Sequence, residues 1–302
     1  MIDGVLNIYK EPGYTSHDVV AKMRGILHQK KIGHMGTLDP NAVGVLPVCL
    51  GKATKLCSIL SEKDKSYDCT LLLGLQTDTQ DIDGEVINRA DPEKLESLDP
   101  EDIVNAIKSF IGDYAQIPPM YSAIKINGEK LYEKARRGEV VERKAREVKI
   151  IDIVITGIEP PRVNFRVTCS KGTYVRTLCN DIGEKLGVYG CMEKLCRTMV
   201  DRFDVKNAIT LDEIEKFRDD GSLSNYLYPV DEMLDKYSKC IVSAEAEKLV
   251  KNGNIFTGSQ TMLKMNHKDE QILRVYTAGN QFIGLYKYNA EKRIYKPYKI
   301  FL

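Results

Sequence analysis

Residues 162–187 read RVNFRVTCSKGTYVRTLCNDIGEKLG, and two different periods follow one another within that stretch. Val163, Phe165, Val167 and Cys169 alternate with polar residues, which is the period of a strand with one buried face. From about Thr173 the apolar positions become Val175, Leu178, Cys179, Ile182 and Leu186, the stripe of a helix, and Gly187 follows as a stop signal. Arg176 lies off that stripe and is free to face a site instead of the core. Upstream, VKIIDIVITGI (148–158) reads as another strand, and YDCTLLLGL (67–75) as a buried one. A helix is expected from Ser16, as N-cap, through His28, with Val19, Val20, Met23 and Leu27 on one face. A second starts at Asp99-Pro100, carries Ile103, Ile107 and Phe110 in register, and stops at Gly112. Thr210 and Glu213 form a capping box for one more. Hairpins mixed irregularly with helices predict an α+β fold and not a doubly wound sheet. After about Tyr237 a short helix, SAEAEKLVKNG, leads into the strand-like ILRVYTAGN and FIGLYKYN, so a small β-rich unit over 237–302 is expected to follow a larger domain over 1–236.

The chain has 302 residues, 43% hydrophobic and 29% charged, as ordinary soluble globular proteins are. The first residues, MIDGVLNIYK, lack the basic and apolar regions of a signal peptide. No apolar run approaches the ~18 residues that suggest a membrane span, so a cytoplasmic protein with no membrane partner is expected. None of the eight cysteines forms a C-x-x-C pair, and they read as reduced core thiols. The four histidines form no cluster with ligand spacing, so no metal is expected. GVLPVCLGK (44–52) has the wrong spacing for a phosphate loop, and Ala53 stands where a hydroxyl is needed. QTDTQDIDGE (76–85) has turn composition but not the ligand positions of an EF-hand. Net charge is only +1, yet it is unevenly distributed. Residues 76–104 carry ten acids and two bases, whereas 125–149 and 162–206 each carry nine bases and five acids, and 287–299 five bases and one acid. Basic segments spaced in this way suit a phosphate-tracking surface.

One acid stands apart. GHMGTLDPNAVG (33–44) places Asp39 among three glycines and a proline with almost no other charge. Pro40 biases Asp39 toward an extended backbone, and the glycines let a ligand or another chain segment come close. A carboxylate held there serves as nucleophile or base while it stays ionised, and Arg176 is the candidate cation to keep it so.

Four segments together, GHMGTLDPNAVGVLPVCLGKATK, KSYDCTLLLGLQTDTQDIDGE, PPMYSAIKINGEKLYEKARRGEVVERKAREV and SKGTYVRTLCNDIGEKLG, resemble the bacterial tRNA pseudouridine-55 synthases of the TruB family. The resemblance covers about residues 3–215. It implies a catalytic domain (1–236) with a mixed, mainly antiparallel sheet and an RNA-binding insertion at 121–148, followed by a PUA-like RNA-binding domain (237–302). It further implies isomerisation of uridine 55 in the tRNA T-loop by base flipping, with the T-arm as partner, no cofactor, no metal, no protein partner and a monomeric state. Asp39 falls on the family's catalytic aspartate, Tyr67 on the tyrosine that stacks on the target uracil, and Arg176 on the arginine paired with the aspartate. His34, Tyr174 and Leu195 fall on positions that contact the flipped nucleotide or its pocket. Lys10, taken with these as substrate-binding, lies in the N-terminal motif that supports the loop. Met35 and Glu11 depart from the family pattern. Two alternatives are a relative working through a guide RNA complex, which would carry extra N-terminal sequence, and a non-catalytic tRNA-binding protein with Asp39 as a turn residue.

Overall fold

The computed structural model describes residues 1–60, 63–262 and 267–302, and within them two sheets account for most of the strand structure. The larger sheet has ten strands. Eight lie side by side in the order Leu227–Tyr228, Gly4–Lys10, Val43–Leu50, Gly190–Val200, Lys65–Leu73, Arg162–Cys169, Arg146–Glu159 and Gly112–Gln116. Ile32–His34 and Phe203–Asp204 attach to two of these. Every pairing in it is antiparallel except that between Val43–Leu50 and Gly190–Val200, where Cys196 faces Val43 and Arg197 faces Gly44. The sheet is therefore mixed and mainly antiparallel, and its one parallel joint lies next to the Asp39 loop.

The alternating pattern that opened the sequence reading sits centrally. Val163, Phe165, Val167 and Cys169 are all buried and point at the helix Val175–Lys185. Lys65–Leu73 alternates as well, with Tyr67, Cys69, Leu71 and Leu73 on the same side. It is thus buried on one face. The expected buried strand is present, with Asp68, Thr70 and Leu72 half-buried on its other face. Burying a Leu or Phe side chain contributes about 1.5–3 kcal/mol, so this helix–sheet cluster is a main source of stability.

Local chemistry shifts several boundaries. Thr15, not Ser16, caps the first helix (Ser16–Ile26), because its hydroxyl accepts from the Asp18 amide while the Thr15 amide donates to the Asp18 carboxylate. The Asp99-capped helix ends at Lys108, so Phe110 packs from beyond it. The expected capping box at Thr210 and Glu213 is present. The helix carrying Arg176 begins at Val175, with Tyr174 as its cap.

Residues 238–300 form a five-stranded sheet of their own, in the order Ser238–Ile241, Ile272–Tyr276, Phe282–Asn289, Ile294–Ile300, Phe256–Thr257. This sheet shares a core with the larger one, since Leu285 and Phe301 pack with Val45, Cys49, Met233 and Leu234. The Lys55 ammonium also donates to the Ile300 carbonyl at 2.6 Å. Six of the eight cysteines are buried and all eight are free thiols. No helix among the described residues is long and apolar enough to cross a membrane.

Candidate active site

Asp39 lies on the loop between Ile32–His34 and Val43–Leu50, and that loop has almost no regular structure of its own. Side chains from three directions hold its backbone. Ser16, fully buried at the start of the first helix, accepts from the Leu38 amide at 2.9 Å. The Lys10 ammonium donates to the carbonyls of Pro40 (2.7 Å), Ala42 (2.6 Å) and Glu11 (3.2 Å). Arg197 donates from Nε to the Val45 carbonyl at 2.7 Å, and from its two Nη atoms to Thr37 (3.3 Å) and Gly36 (3.2 Å). The loop's carbonyls thus point inward at two buried cations. The Asp39 carboxylate stays outside, with 36% of its side chain exposed.

Two positions in this loop require glycine. Gly36 (φ +96°) and Gly44 (φ +102°) adopt backbone that L side chains rarely take. A Cβ on Gly44 would stand 2.3 Å from the Arg197 carbonyl oxygen, because the parallel joint brings the two backbones together there.

Arg176 rises from the first turn of its helix and stands between two acids. One Nη is 3.5 Å from Asp39 and the other is 3.5 Å from Asp81. The guanidinium also donates to the Tyr121 carbonyl. Only 6% of its side chain is exposed. Lying off the apolar stripe did bring Arg176 to a site, although a buried one. Asp81 comes from the QTDTQDIDGE turn, where Thr79 donates to it at 2.6 Å. Burial pushes its carboxyl above the usual range, against the pull of Thr79 and Arg176, and Asp39 adds to the rise. Turn composition was legible in the sequence. That this turn folds back onto the helix, with Thr177 donating to Gln80 at 2.6 Å, was not.

Tyr67 stands beside this pair on the central strand, directly opposite Arg197 in register. It is 7% exposed and belongs to the same cluster as Leu38, Ala42 and Leu195. Burial pushes its phenol up to about 12, while the positive charge of Arg197 pulls the other way. Leu195 is buried in the same cluster as Tyr67, and Tyr174 lies with its ring 5.7 Å from the Arg176 guanidinium carbon. Gln116, itself buried, holds Tyr174 by both backbone groups, accepting from its amide at 2.8 Å and donating to its carbonyl at 3.0 Å. His34 sits at the loop's beginning with its ring edge-on to His17 at 5.2 Å. Burial lowers its pKa, and the neighbouring His17 adds to that.

Asp39, Arg176, Tyr67, Tyr174 and Leu195 therefore converge, and His34 flanks them. Lys10 is corrected in role. It is fully buried beneath the loop and its three protons are spent on the carbonyls of Glu11, Pro40 and Ala42, so it braces the loop from inside. Glu11, whose side chain departs from the family pattern, contributes only its carbonyl to that arrangement. Sequence reasoning missed Arg197, Asp81 and Ser16. Arg197 left one signal, a base within a strand of otherwise apolar inward positions, but two register shifts in that strand obscure its parity.

Residues 121–148 contain two two-residue strands, Lys125–Ile126 and Glu129–Lys130, and a helix at Leu131–Ala135. Arg137 and Lys134 both pair with Glu129 and Glu139. Arg136 instead lies over the Tyr132 ring, and Arg143 donates to the Pro118 carbonyl at 3.2 Å. Among the described residues no group of three or more His, Cys, Asp or Glu side chains could hold a metal ion.

Comparison with known proteins bears on this geometry. Residues 24–175 match the family described as TruB family pseudouridylate synthase (N terminal domain), and residues 176–235 match the tRNA pseudouridylate synthase B C-terminal domain. The chain is 47% identical to tRNA pseudouridine synthase B of Lachnoclostridium phytofermentans over 100% of both chains. It is 40% identical to that of Bacillus subtilis over 100% of this chain and 98% of the relative. Among solved structures it is similar to a chain of a Cbf5-Nop10-Gar1 complex (TM-score 0.72, 28% identity, 99% of this chain and 85% of that one). It is also similar to a chain of an H/ACA RNP bound to a substrate RNA containing 2′-deoxyuridine (TM-score 0.71, 26% identity, 99% and 85%). An α+β chain with this sheet, matched from residue 24 to 235 and aligned end to end with such relatives, is an isomerase belonging to the TruB family of pseudouridylate synthases.

Proposed function

We propose that the chain converts uridine 55 in the T-loop of tRNA to pseudouridine, and that Asp39 is the group that acts on the flipped nucleotide. The carrying observation is a carboxylate left partly exposed on a loop whose carbonyls are held from beneath by Lys10 and Arg197, set 3.5 Å from a buried arginine and beside Tyr67. Relatives of 40–47% identity named tRNA pseudouridine synthase B support tRNA as the substrate.

The reaction breaks the uridine N1–C1′ bond, turns the uracil, and forms a C5–C1′ bond, with the C5 proton released and N1 protonated. No atom is gained or lost, and no electron or phosphoryl group moves. Asp39 serves this as nucleophile toward the sugar or uracil C6, or as base toward a sugar proton, and Arg176 holds its charge in place for each route. Flipping costs a few kcal/mol, of which stacking on an aromatic returns about 1–3 kcal/mol per base. Tyr67 is the face for that stacking. At 7% exposure, its ring admits a uracil only once side chains above it give way. Tyr174, Leu195 and His34 complete the pocket, and the basic 121–148 insertion and the 237–302 unit, read as PUA-like, meet the RNA backbone.

Asp39→Asn tests the reading. Pseudouridine is mapped in a T-arm hairpin after incubation with purified protein and no added cofactor. Product is expected to disappear while hairpin affinity persists. Full conversion by the variant would remove Asp39 from the chemistry.

A further inference from the structure

We propose that Arg197 is the positioning residue that sets Tyr67 and Asp39 against each other, by gripping the Asp39 loop from inside the sheet, opposite Tyr67. The inference rests on the reading of those two residues as uridine-facing. Arg197 belongs to Gly190–Val200, the strand that joins Val43–Leu50, which follows the Asp39 loop, on one side to the Tyr67 strand on the other. Its register partners are Gly44 in the parallel joint and Tyr67 in the antiparallel one. Among the described residues no other strand pairs with both.

The guanidinium, 1% exposed, spends Nε and both Nη atoms on the carbonyls of Val45, Thr37 and Gly36, and the Tyr67 side chain, opposite it in register, favours its charge. Those carbonyls bracket Asp39 on both sides in sequence. A planar fork of five donors meets several acceptors at fixed mutual angles, which an ammonium does not. Its charge is retained at a cost. Among the described residues Arg197 has no salt bridge, Lys10, Lys65 and His34 lie close enough to repel it, and the carboxylate that favours its charge is Asp39. A strut for stability alone is better served by an apolar side chain of the same volume. A cation here instead fixes two elements whose relative placement the reaction requires.

Arg197→Lys and Arg197→Met separate the donors from the charge and the volume. The readouts are amide hydrogen exchange in free protein, single-turnover pseudouridine formation in a T-arm hairpin, and hairpin affinity. For Arg197→Lys, exchange is expected to accelerate at residues 36–45 but not at 69–73 or 162–169. Single-turnover rate is expected to fall about 10- to 100-fold, the scale of a sub-ångström to ångström misplacement, with affinity unchanged. Adding Tyr67→Phe is expected to cost less in Arg197→Lys than in the parent, because the two act as a pair. Faster exchange across the whole sheet, with rate and affinity falling together, would make Arg197 a plain core residue and overturn the proposal. So would a variant with parental rate. Should the Arg197 variants not fold, Tyr67→Phe decides alone, since it keeps every Arg197–backbone bond. Parental turnover there removes the phenol from the reaction. Survival of activity in Asp39→Asn would instead defeat the functional reading, a separate result.

Discussion

Replacing Arg176 by Met should destabilise the protein in a pH-dependent way, because the guanidinium is shared by two acids of different burial. Its Nη atoms lie 3.5 Å from both Asp39 and Asp81, and the Asp81 side chain is only 14% exposed. Removing one partner of a buried pair costs about 3–5 kcal/mol, because the remaining charge keeps its desolvation penalty. At about 2–4 °C per kcal/mol for a chain of this size, the melting temperature near pH 7.5 falls by roughly 6–20 °C. The sign of the pH effect follows from Asp81. Burial already raises its pKa and Arg176 opposes that rise, so the substitution raises it further. A carboxyl raised in the folded state contributes no penalty below its unfolded pKa and a growing one as pH climbs through the folded value. The deficit against wild type should therefore be largest at neutral pH and shrink toward pH 4. Differential scanning fluorimetry at pH 4.5, 6 and 7.5 measures it. Equal deficits at all three values would show that Asp81 does not depend on Arg176. Arg176→Lys, which keeps one charge but cannot span both acids, should recover much of the stability and little of the turnover.

Gly44→Ala combines a 2.3 Å clash with the Arg197 carbonyl and a φ of +102°, so it should unfold or severely destabilise the catalytic sheet; a melt within about 1 kcal/mol of wild type would contradict the close approach. Lys10, lowered by burial to about 8, should lose one of its three loop hydrogen bonds in mildly alkaline solution. Turnover should decline around pH 8 and exchange at residues 38–42 should rise there. Folding stability should gain from Lys10 as pH climbs from about 8 to 10.5, since only the unfolded state then binds its proton. A flat pH–rate profile from 7 to 9 would remove that link. Tyr67→Leu should cut turnover more than hairpin affinity, measured in single-turnover and binding experiments, because stacking matters only once the base is flipped. Removing residues 238–302 should lower the melting temperature of what remains, because Leu285 and Phe301 leave the core they share with Val45 and Cys49; an unchanged melt would mean that the two sheets are independent.

Much of the site was legible residue by residue. Asp39 stood out as a lone acid among glycines and a proline, a pattern that also makes ordinary turns, and Arg176 because it lay off a helical stripe. Asp81, Ser16 and Arg197 were not legible, since each acts across a long loop closure: Ser16 on Leu38, Asp81 on Arg176 and Arg197 on Thr37. Lys10 was placed in the right motif, yet only its three carbonyl partners reveal that it faces inward.

By itself the chain determined its periods, caps and turns, because these depend on neighbours within a few residues: alternation over 163–169, the helical stripe from Val175, the capping box at Thr210. Tertiary structure alone decided that one strand, Gly190–Val200, runs parallel to Val43–Leu50 and antiparallel to Lys65–Leu73, and so where Arg197 points. Strand order and register are set by which distant surfaces bury together, and two bulges in that strand moved its side chains off the simple alternation that a sequence displays.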